Sequence, residues 1–169
     1  MSQRARLEHA VERIKTARRY TLELLADVAD EDWFRQPSEG VTHIAWQVGH
    51  LAMAEYAICL ARRRGSEPGD KDFLSRKFRR HFGKGSAPVA DPEANPTPAK
   101  IRDVLAAVHA RVLEELAEED EEHLTEVLAA PHEMFDTKLG GLHFCADHEM
   151  LHAGQIGLLR RLIGKEPLR

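Results

Sequence analysis

The strongest constraint on the fold of this chain is a helical stripe of apolar residues that also carries two histidines, His148 and His152. Residues spaced three or four apart lie on one face of a helix, and the stripe includes Cys145, Ile156, Leu159 and Ile163. A buried imidazole is costly unless it is hydrogen-bonded or coordinated. Two hypotheses therefore stay open: each histidine hydrogen-bonds a carbonyl or carboxylate in the core, or the pair shares a metal ion.

The length and composition predict one globular domain. A chain of 169 residues suits a single domain, residues 1–169, and it combines 43% apolar with 31% charged residues. It contains no uninterrupted apolar run near the ~18 residues of a membrane span, and its N-terminus lacks the pattern of a secretory signal. We therefore expect no membrane association and a cytoplasmic location.

The net charge and the cysteine content limit the kinds of partner and structural site that we expect. The net charge of -4 argues against a nucleic-acid surface, which is normally basic. Cys59 and Cys145 have neither the density nor the close spacing of a disulfide scaffold or a structural zinc site, so we expect two reduced thiols. A small-molecule substrate is the expected partner.

Helical periodicity recurs in four segments, and no strand-like alternation persists anywhere. The first stripe runs from Leu7 to Val28, and the charged residues beside it include Arg18. The later helices are predicted from about Thr42 to Arg64, from the Thr97-Pro98 start to an acidic end at Glu114 to Glu122, and from beyond Gly140-Gly141 to near Gly164.

A long connection separates the second and third of these helices. Repeated proline and glycine interrupt the pattern from Gly65 to Pro98, and only Lys71 to Phe82 predicts a short helix. A connection of ~30 residues favours a crossover over a tight antiparallel turn. We therefore predict an all-α fold, a four-helix bundle with a long crossover between helices 2 and 3.

The second helix contains a third histidine, His50, that could face the same interior as the pair. Its neighbour Gly49 permits close approach of another backbone. Gly49-His50-Leu51, taken with His148-Glu149-Met150-Leu151-His152 and the following Gly154-Gln155, resembles the DinB-like (YfiT-type) helical bundles. The resemblance extends to the crossover and to the C-terminal end of the last helix.

The resemblance implies a divalent metal bound by His50, His148 and His152. Three imidazoles suit zinc, nickel, iron or manganese, and they leave a coordination position open. Relatives of this type include transferases that use low-molecular-weight thiols and metal-dependent hydrolases, so a thiol transferase acting on an electrophile is expected. A hydrolase and a non-catalytic metal- or ligand-binding bundle stay open as alternatives. The family also implies a homodimer.

Glu149 creates a competing motif, because His148-Glu149-x-x-His152 fits the zinc metalloprotease signature. The extended metzincin form requires glycine and histidine where this chain has Gln155 and Leu158, so we do not adopt it. Glu149 is then a solvated surface carboxylate, a hydrogen-bond acceptor behind a histidine, or a catalytic general base. Cys145 is expected to be a buried small residue, with a fourth metal ligand as the alternative.

Two further groups of polar residues are candidates for the site. Gln47 and Gln155 each lie three residues from a predicted ligand, where an amide can orient an imidazole or simply join two helices. The basic crossover residues Arg76, Arg79 and Arg80 either form the solvated side of a short helix or hold an anionic substrate or thiol over the metal. We assign no role to the histidines near helix ends and loops: His43, His123, His132 and His143.

Overall fold

The computed structural model describes residues 2–168, leaving aside the side chains of residues 121 and 131, and this part of the chain is predominantly helical. The helices are α1 (Gln3–Leu25), α2 (Ile44–Glu55), α3 (Asp70–Phe73), α4 (Arg76–Phe82), α5 (Pro98–Ala117) and α6 (Lys138–Leu162). A π-helical turn (Tyr56–Ala61) and a last α-helical turn (Arg62–Arg64) prolong α2. A hairpin of β1 (Val127–His132) and β2 (Phe135–Thr137) precedes α6.

Side chains at the helix starts explain where these elements begin. The Thr97 hydroxyl accepts the backbone N–H of Lys100 at 3.2 Å, and Pro98 occupies the first helical position, as the sequence predicts. The Thr137 hydroxyl accepts the N–H of Gly140 at 3.1 Å. Helix α6 therefore begins before the two glycines, which were expected to interrupt the chain.

The long helices pack against one another through the predicted apolar stripes. Helix α1 lies along α6, and α2 contacts both α5 and α6. The buried positions include Leu7, Ile14, Val48, Leu51, Ile101, Leu105, Val112, Ile156 and Leu159. Within the described residues, no helix combines the length and apolar character required to cross a bilayer.

The crossover follows α2 and contributes apolar residues to the core. The predicted helix from Lys71 to Phe82 is present as α3 and α4, separated at Leu74 and Ser75. Phe78 and Phe82 are both buried, so one side of α4 covers the helices below it. Basic residues lie on the opposite side of α4.

The hairpin corrects the expectation that no strand is present. Val127 pairs with Thr137 and His132 pairs with Phe135 in an antiparallel ladder, with an irregularity between the two pairs. The connecting turn, Glu133-Met134, lacks the Asn-Gly type of sequence that marks tight hairpins. The short strands and unmarked turn explain why sequence periodicity missed this element.

Arg18 also corrects the sequence analysis, because it lies in the core and not on the charged flank of α1. The side chain is only 4% exposed. Its Nε donates to Glu149 at 2.7 Å, and one terminal nitrogen donates to Glu55 at 2.9 Å. The other terminal nitrogen donates to the carbonyl of Leu105 at 3.2 Å. One guanidinium therefore joins α1 to α6, α2 and α5.

The second oxygen of the Glu55 carboxylate is also bound. Nδ1 of His109, on α5, is 2.7 Å from Glu55 Oε1. Burial alone raises the pKa of Glu55, but Arg18 and His109 outweigh burial and lower it overall. Glu55 is therefore a carboxylate, and the network retains its charges inside the core.

Replacing Arg18 with methionine should destabilise the fold by about 3–5 kcal/mol, because Glu55 and Glu149 would remain buried without their cationic partner. Urea unfolding followed by circular dichroism measures this change. The matched control is Arg19→Met on the exposed side of the same helix, which should change stability by less than about 0.5 kcal/mol. Adding Glu55→Gln and Glu149→Gln to Arg18→Met should restore part of the loss. Equal stability of Arg18→Met and Arg19→Met would contradict this account.

Candidate metal centre

The structure brings the three predicted ligands together. His50 comes from α2, whereas His148 and His152 are one turn apart on α6. One ring nitrogen of each histidine lies within 4.8 Å of the others. The ring centroids of His148 and His152 are 4.5 Å apart, and that of His50 lies 4.9 Å from His152. Among the described residues, these three histidines form the one group of this kind.

The donor set fits a divalent transition-metal ion. Zinc–nitrogen distances are ~2.0–2.1 Å, so two nitrogen ligands of a tetrahedral ion are about 3.4 Å apart. The ligand atoms of the observed cluster lie within 4.8 Å of one another, so the imidazoles would have to draw closer together around a bound ion. Three neutral nitrogen ligands suit zinc or nickel and also iron, and they leave at least one coordination position for another ligand.

The three imidazoles are held in the neutral form that binds metal. Burial, with the nearby His50 and His132, lowers the pKa of His148 to about 4. Burial, with His148 and His50, lowers the pKa of His152 to about 3. Burial also lowers the pKa of His50, and its hydrogen bond to a carbonyl offsets only part of this effect. Protons therefore do not compete with a metal ion at neutral pH.

A backbone carbonyl of the crossover orients His50. Nδ1 of His50 is 2.8 Å from the carbonyl oxygen of Phe82, so Nδ1–H donates and Nε2 remains free as a ligand. The indole ring of Trp46 stacks on the imidazole, with centroids 4.8 Å apart and an interplanar angle of 7°. Sequence reasoning did not find the Phe82 contact, because a backbone carbonyl has no residue-specific signal.

Gln47 orients His152 in a similar way. Its side-chain oxygen accepts from Nδ1 of His152, which leaves Nε2 of that ring for a metal. The amide nitrogen of Gln47 donates to Gln155 at 2.8 Å and to the hydroxyl of Thr42 at 3.3 Å. The two predicted amides therefore form one chain of hydrogen bonds that ends on a ligand.

Close packing between α2 and the crossover depends on Gly49. A Cβ atom added at this position would lie 2.5 Å from the ring of Phe82, which is fully buried. Gly49 thus allows the crossover to approach α2 closely enough for the Phe82 carbonyl to reach His50. A close approach at Gly49 is therefore present, but the group that meets α2 there is the ring of Phe82 and not a backbone, as was expected.

Glu149 is buried, so its interpretation as a solvated surface carboxylate is wrong. It is 3% exposed, and Arg18 binds both of its oxygens, at 2.7 and 3.1 Å.

Cys145 lies in the core, where a hydrogen bond with Cys59 and burial raise its pKa well above the usual range. Both cysteines are free thiols, as expected.

The basic crossover residues differ from one another in their surroundings. Arg76 and Arg80 are exposed. Arg79 is half-buried, and its guanidinium carbon lies 5.4 Å from the centroid of the Tyr56 ring.

Of the histidines without an assigned role, His43 is fully buried and caps α2 by accepting the N–H of Trp46 at 3.1 Å.

Comparison with known proteins identifies the family. The sequence model of the DinB superfamily matches residues 13–156. The chain belongs to the DinB superfamily. A conserved protein of Enterococcus faecalis, whose crystal structure is known, has the same DinB-type fold, with a TM-score of 0.70 and 22% identity over 94% of this chain and 97% of that one. No match was found among the curated proteins.

In this DinB chain, Gly49→Ala should lower stability although alanine favours helices by about 1 kcal/mol over glycine. The added methyl group must displace Phe82, and the carbonyl that orients His50 should move with it. Thermal unfolding and zinc titration measure the two effects. The matched control is Gly154→Ala on α6, where an added Cβ has no atom within 4 Å. The control should be as stable as the native protein or more so; a neutral Gly49→Ala would refute the packing argument.

Gln47→Leu should weaken metal binding by about 10- to 100-fold, the usual effect of removing a group that orients a ligand. The physical reason is that His152 loses the acceptor that keeps Nδ1 protonated and Nε2 free. Competition with a chromogenic chelator measures the affinity. Gln155→Leu is the control, because Gln155 touches Gln47 and not a ring nitrogen. Gln155→Leu should cause a smaller loss, because its amide contacts the ligand only through Gln47. An unchanged affinity in Gln47→Leu would contradict the orienting role.

Proposed function

We propose that this DinB protein is a metal-dependent transferase that joins a low-molecular-weight thiol to a small electrophilic substrate. The observation that carries the proposal is the set of three neutral imidazoles, His50, His148 and His152, whose ligand nitrogens lie within 4.8 Å of one another. Membership of the DinB superfamily supports it, because the relatives that the resemblance implies include transferases that use such thiols, beside metal-dependent hydrolases. Three protein ligands also leave room for a further one.

A divalent ion, zinc or nickel in the first instance and otherwise iron or manganese, would act as a Lewis acid that lowers the pKa of a thiol or water bound beside it. The chain supplies the positioning. Phe82 and Gln47 keep Nδ1 of His50 and His152 protonated, so Nε2 of each ring can bind the ion. In the reaction the thiol gives its proton to solvent, and its sulfur forms the bond to the electrophilic atom of the substrate. The bond from that atom to the leaving group breaks at the same time, and the leaving group departs with the electron pair.

Hydrolysis is the alternative that the same donor set supports. An open position that accepts a thiol also accepts water, so the two reactions differ in whether product forms without added thiol. The third alternative, a non-catalytic metal- or ligand-binding bundle, would form no product under either condition. The contacts of Glu149 argue against a general-base role, because Arg18 binds both of its oxygens.

The proposal extends to substrate binding and assembly. We propose that the basic side of α4, with Arg76, Arg79 and Arg80, binds anionic groups of the substrate or thiol, and that the four long helices form a cytoplasmic bundle. We also propose a homodimer. Leu151, Leu158 and Leu162 of α6 support it, because these side chains are 65%, 49% and 52% exposed and lie on one stripe.

The first test is elemental analysis of tag-free protein beside His148→Ala, with His143→Ala of the same helix as the control. The native protein and the control should carry near-stoichiometric divalent metal, and His148→Ala should lose it. Bound metal at a hundredfold excess over Kd adds about 2.7 kcal/mol of stability, so chelation should lower the melting temperature of the native protein and not of His148→Ala. Absence of metal from the native protein, even after reconstitution, would refute the metal centre.

A further inference from the structure

The hairpin places a fourth imidazole, His132, next to the cluster. Its ring is half-buried and stacks on Phe135, with centroids 4.7 Å apart and an interplanar angle of 18°. It also contacts the ring of Phe144 at 5.5 Å between centroids, and Phe144 in turn lies 5.7 Å from His148. His132 therefore extends the ring cluster beyond the three predicted ligands.

The hairpin is anchored firmly enough to hold this ring in place. Phe135 is buried against the start of α6, where a Cβ atom added at Gly141 would lie 3.0 Å from its ring. Arg62, at the end of the extended α2, donates to the carbonyl of Ala130 in β1 at 3.0 Å. Both contacts tie the hairpin to helices that carry ligands of the metal centre.

A backbone hydrogen bond fixes which nitrogen of His132 is the donor. The N–H of Met134 donates to Nδ1 of His132 at 3.2 Å. In the neutral ring the proton therefore lies on Nε2. The Nε2–H group of His132 is therefore a donor that takes no part in the hydrogen bond of the turn.

An ion pair joins the hairpin to the crossover close to the residue that binds His50. Lys84 lies two residues after Phe82, the residue that binds His50, and its ammonium group is 3.4 Å from the carboxylate of Glu133 at the tip of the hairpin. The hairpin and the crossover thus meet beside the three histidines.

We propose that Nε2–H of His132 donates a hydrogen bond to a small anionic ligand, such as a thiolate, at the coordination position that the three histidines leave open. This inference rests on the proposed metal centre and adds a ligand-binding residue to it. The donor would favour the anionic form of the ligand over the neutral form. It would not be required for holding the metal.

The test uses the full-length protein reconstituted with Co2+ and titrated with azide as the anionic probe, followed by visible absorption. His132→Phe keeps a ring against Phe135 and Phe144 but removes the donor, whereas His132→Gln retains an N–H. The control is His123→Phe, an exposed histidine that contacts Glu126. His132→Phe should bind one Co2+ with an unchanged spectrum before azide is added. Its azide affinity should be about three- to tenfold weaker, the expected effect of one hydrogen bond.

The possible outcomes separate this inference from the proposed function. Partial recovery of azide affinity in His132→Gln, with no change in His123→Phe, supports the donor role. Equal azide affinity in the native protein and His132→Phe overturns it, as does loss of Co2+ from His132→Phe, which would make His132 a metal ligand. A native cobalt protein that does not bind azide overturns it too. Failure of the native protein to bind Co2+ instead refutes the metal centre.

Discussion

The buried guanidinium of Arg18 sets the relative positions of the helices that carry the three-histidine cluster. From its position on α1, it binds Glu149 of α6, Glu55 of α2 and a backbone carbonyl of α5. Apolar stripes can pack in more than one register, but a buried charge requires its partner at hydrogen-bond distance. Glu149 directly follows the ligand His148, and Glu55 lies on the same helix as His50. The ion network therefore fixes the two helices that supply all three imidazoles.

The three-histidine cluster lies within this rigid frame, and the frame holds groups that would be costly to bury without partners. Burial keeps His148 and His152 neutral, with pKa values of about 4 and 3, so their nitrogens are available without loss of a proton. The groups that select the ligand nitrogen are an amide on α2, from Gln47, and a carbonyl at the end of α4, from Phe82. A cluster arranged in this way is ready for metal binding before an ion arrives.

Sequence periodicity predicted the parts of this structure that depend on local pattern. The long helices, the Thr97 cap and the histidine pair follow from spacing alone, and Gly49-His50 pointed to the third imidazole. The pattern placed Arg18 and Glu149 wrongly, because a charged residue enters a core only when a partner distant in sequence meets it there. The hairpin was not predicted, because its strands are short and its turn lacks the Asn-Gly type of sequence. Gly140-Gly141 indicates a break by composition, but in the fold Gly141 gives space to Phe135 within a continuous helix.

Sequence analysis predicted two segments least well, the crossover and the hairpin, and both lie beside the candidate metal centre. The crossover provides the Phe82 carbonyl that binds His50, and the hairpin carries His132, whose ring contacts Phe144 beside His148. Their direct contact, Lys84 with Glu133, is highly exposed, and such ion pairs contribute only ~0–1 kcal/mol. The position of His132 must therefore come from the packing of Phe135 on α6 and from the Arg62 bond to Ala130, and not from the contact at the hairpin tip. Residues on these two segments, held independently by the helical frame, are the ones that can change what the three histidines bind without changing the histidines themselves.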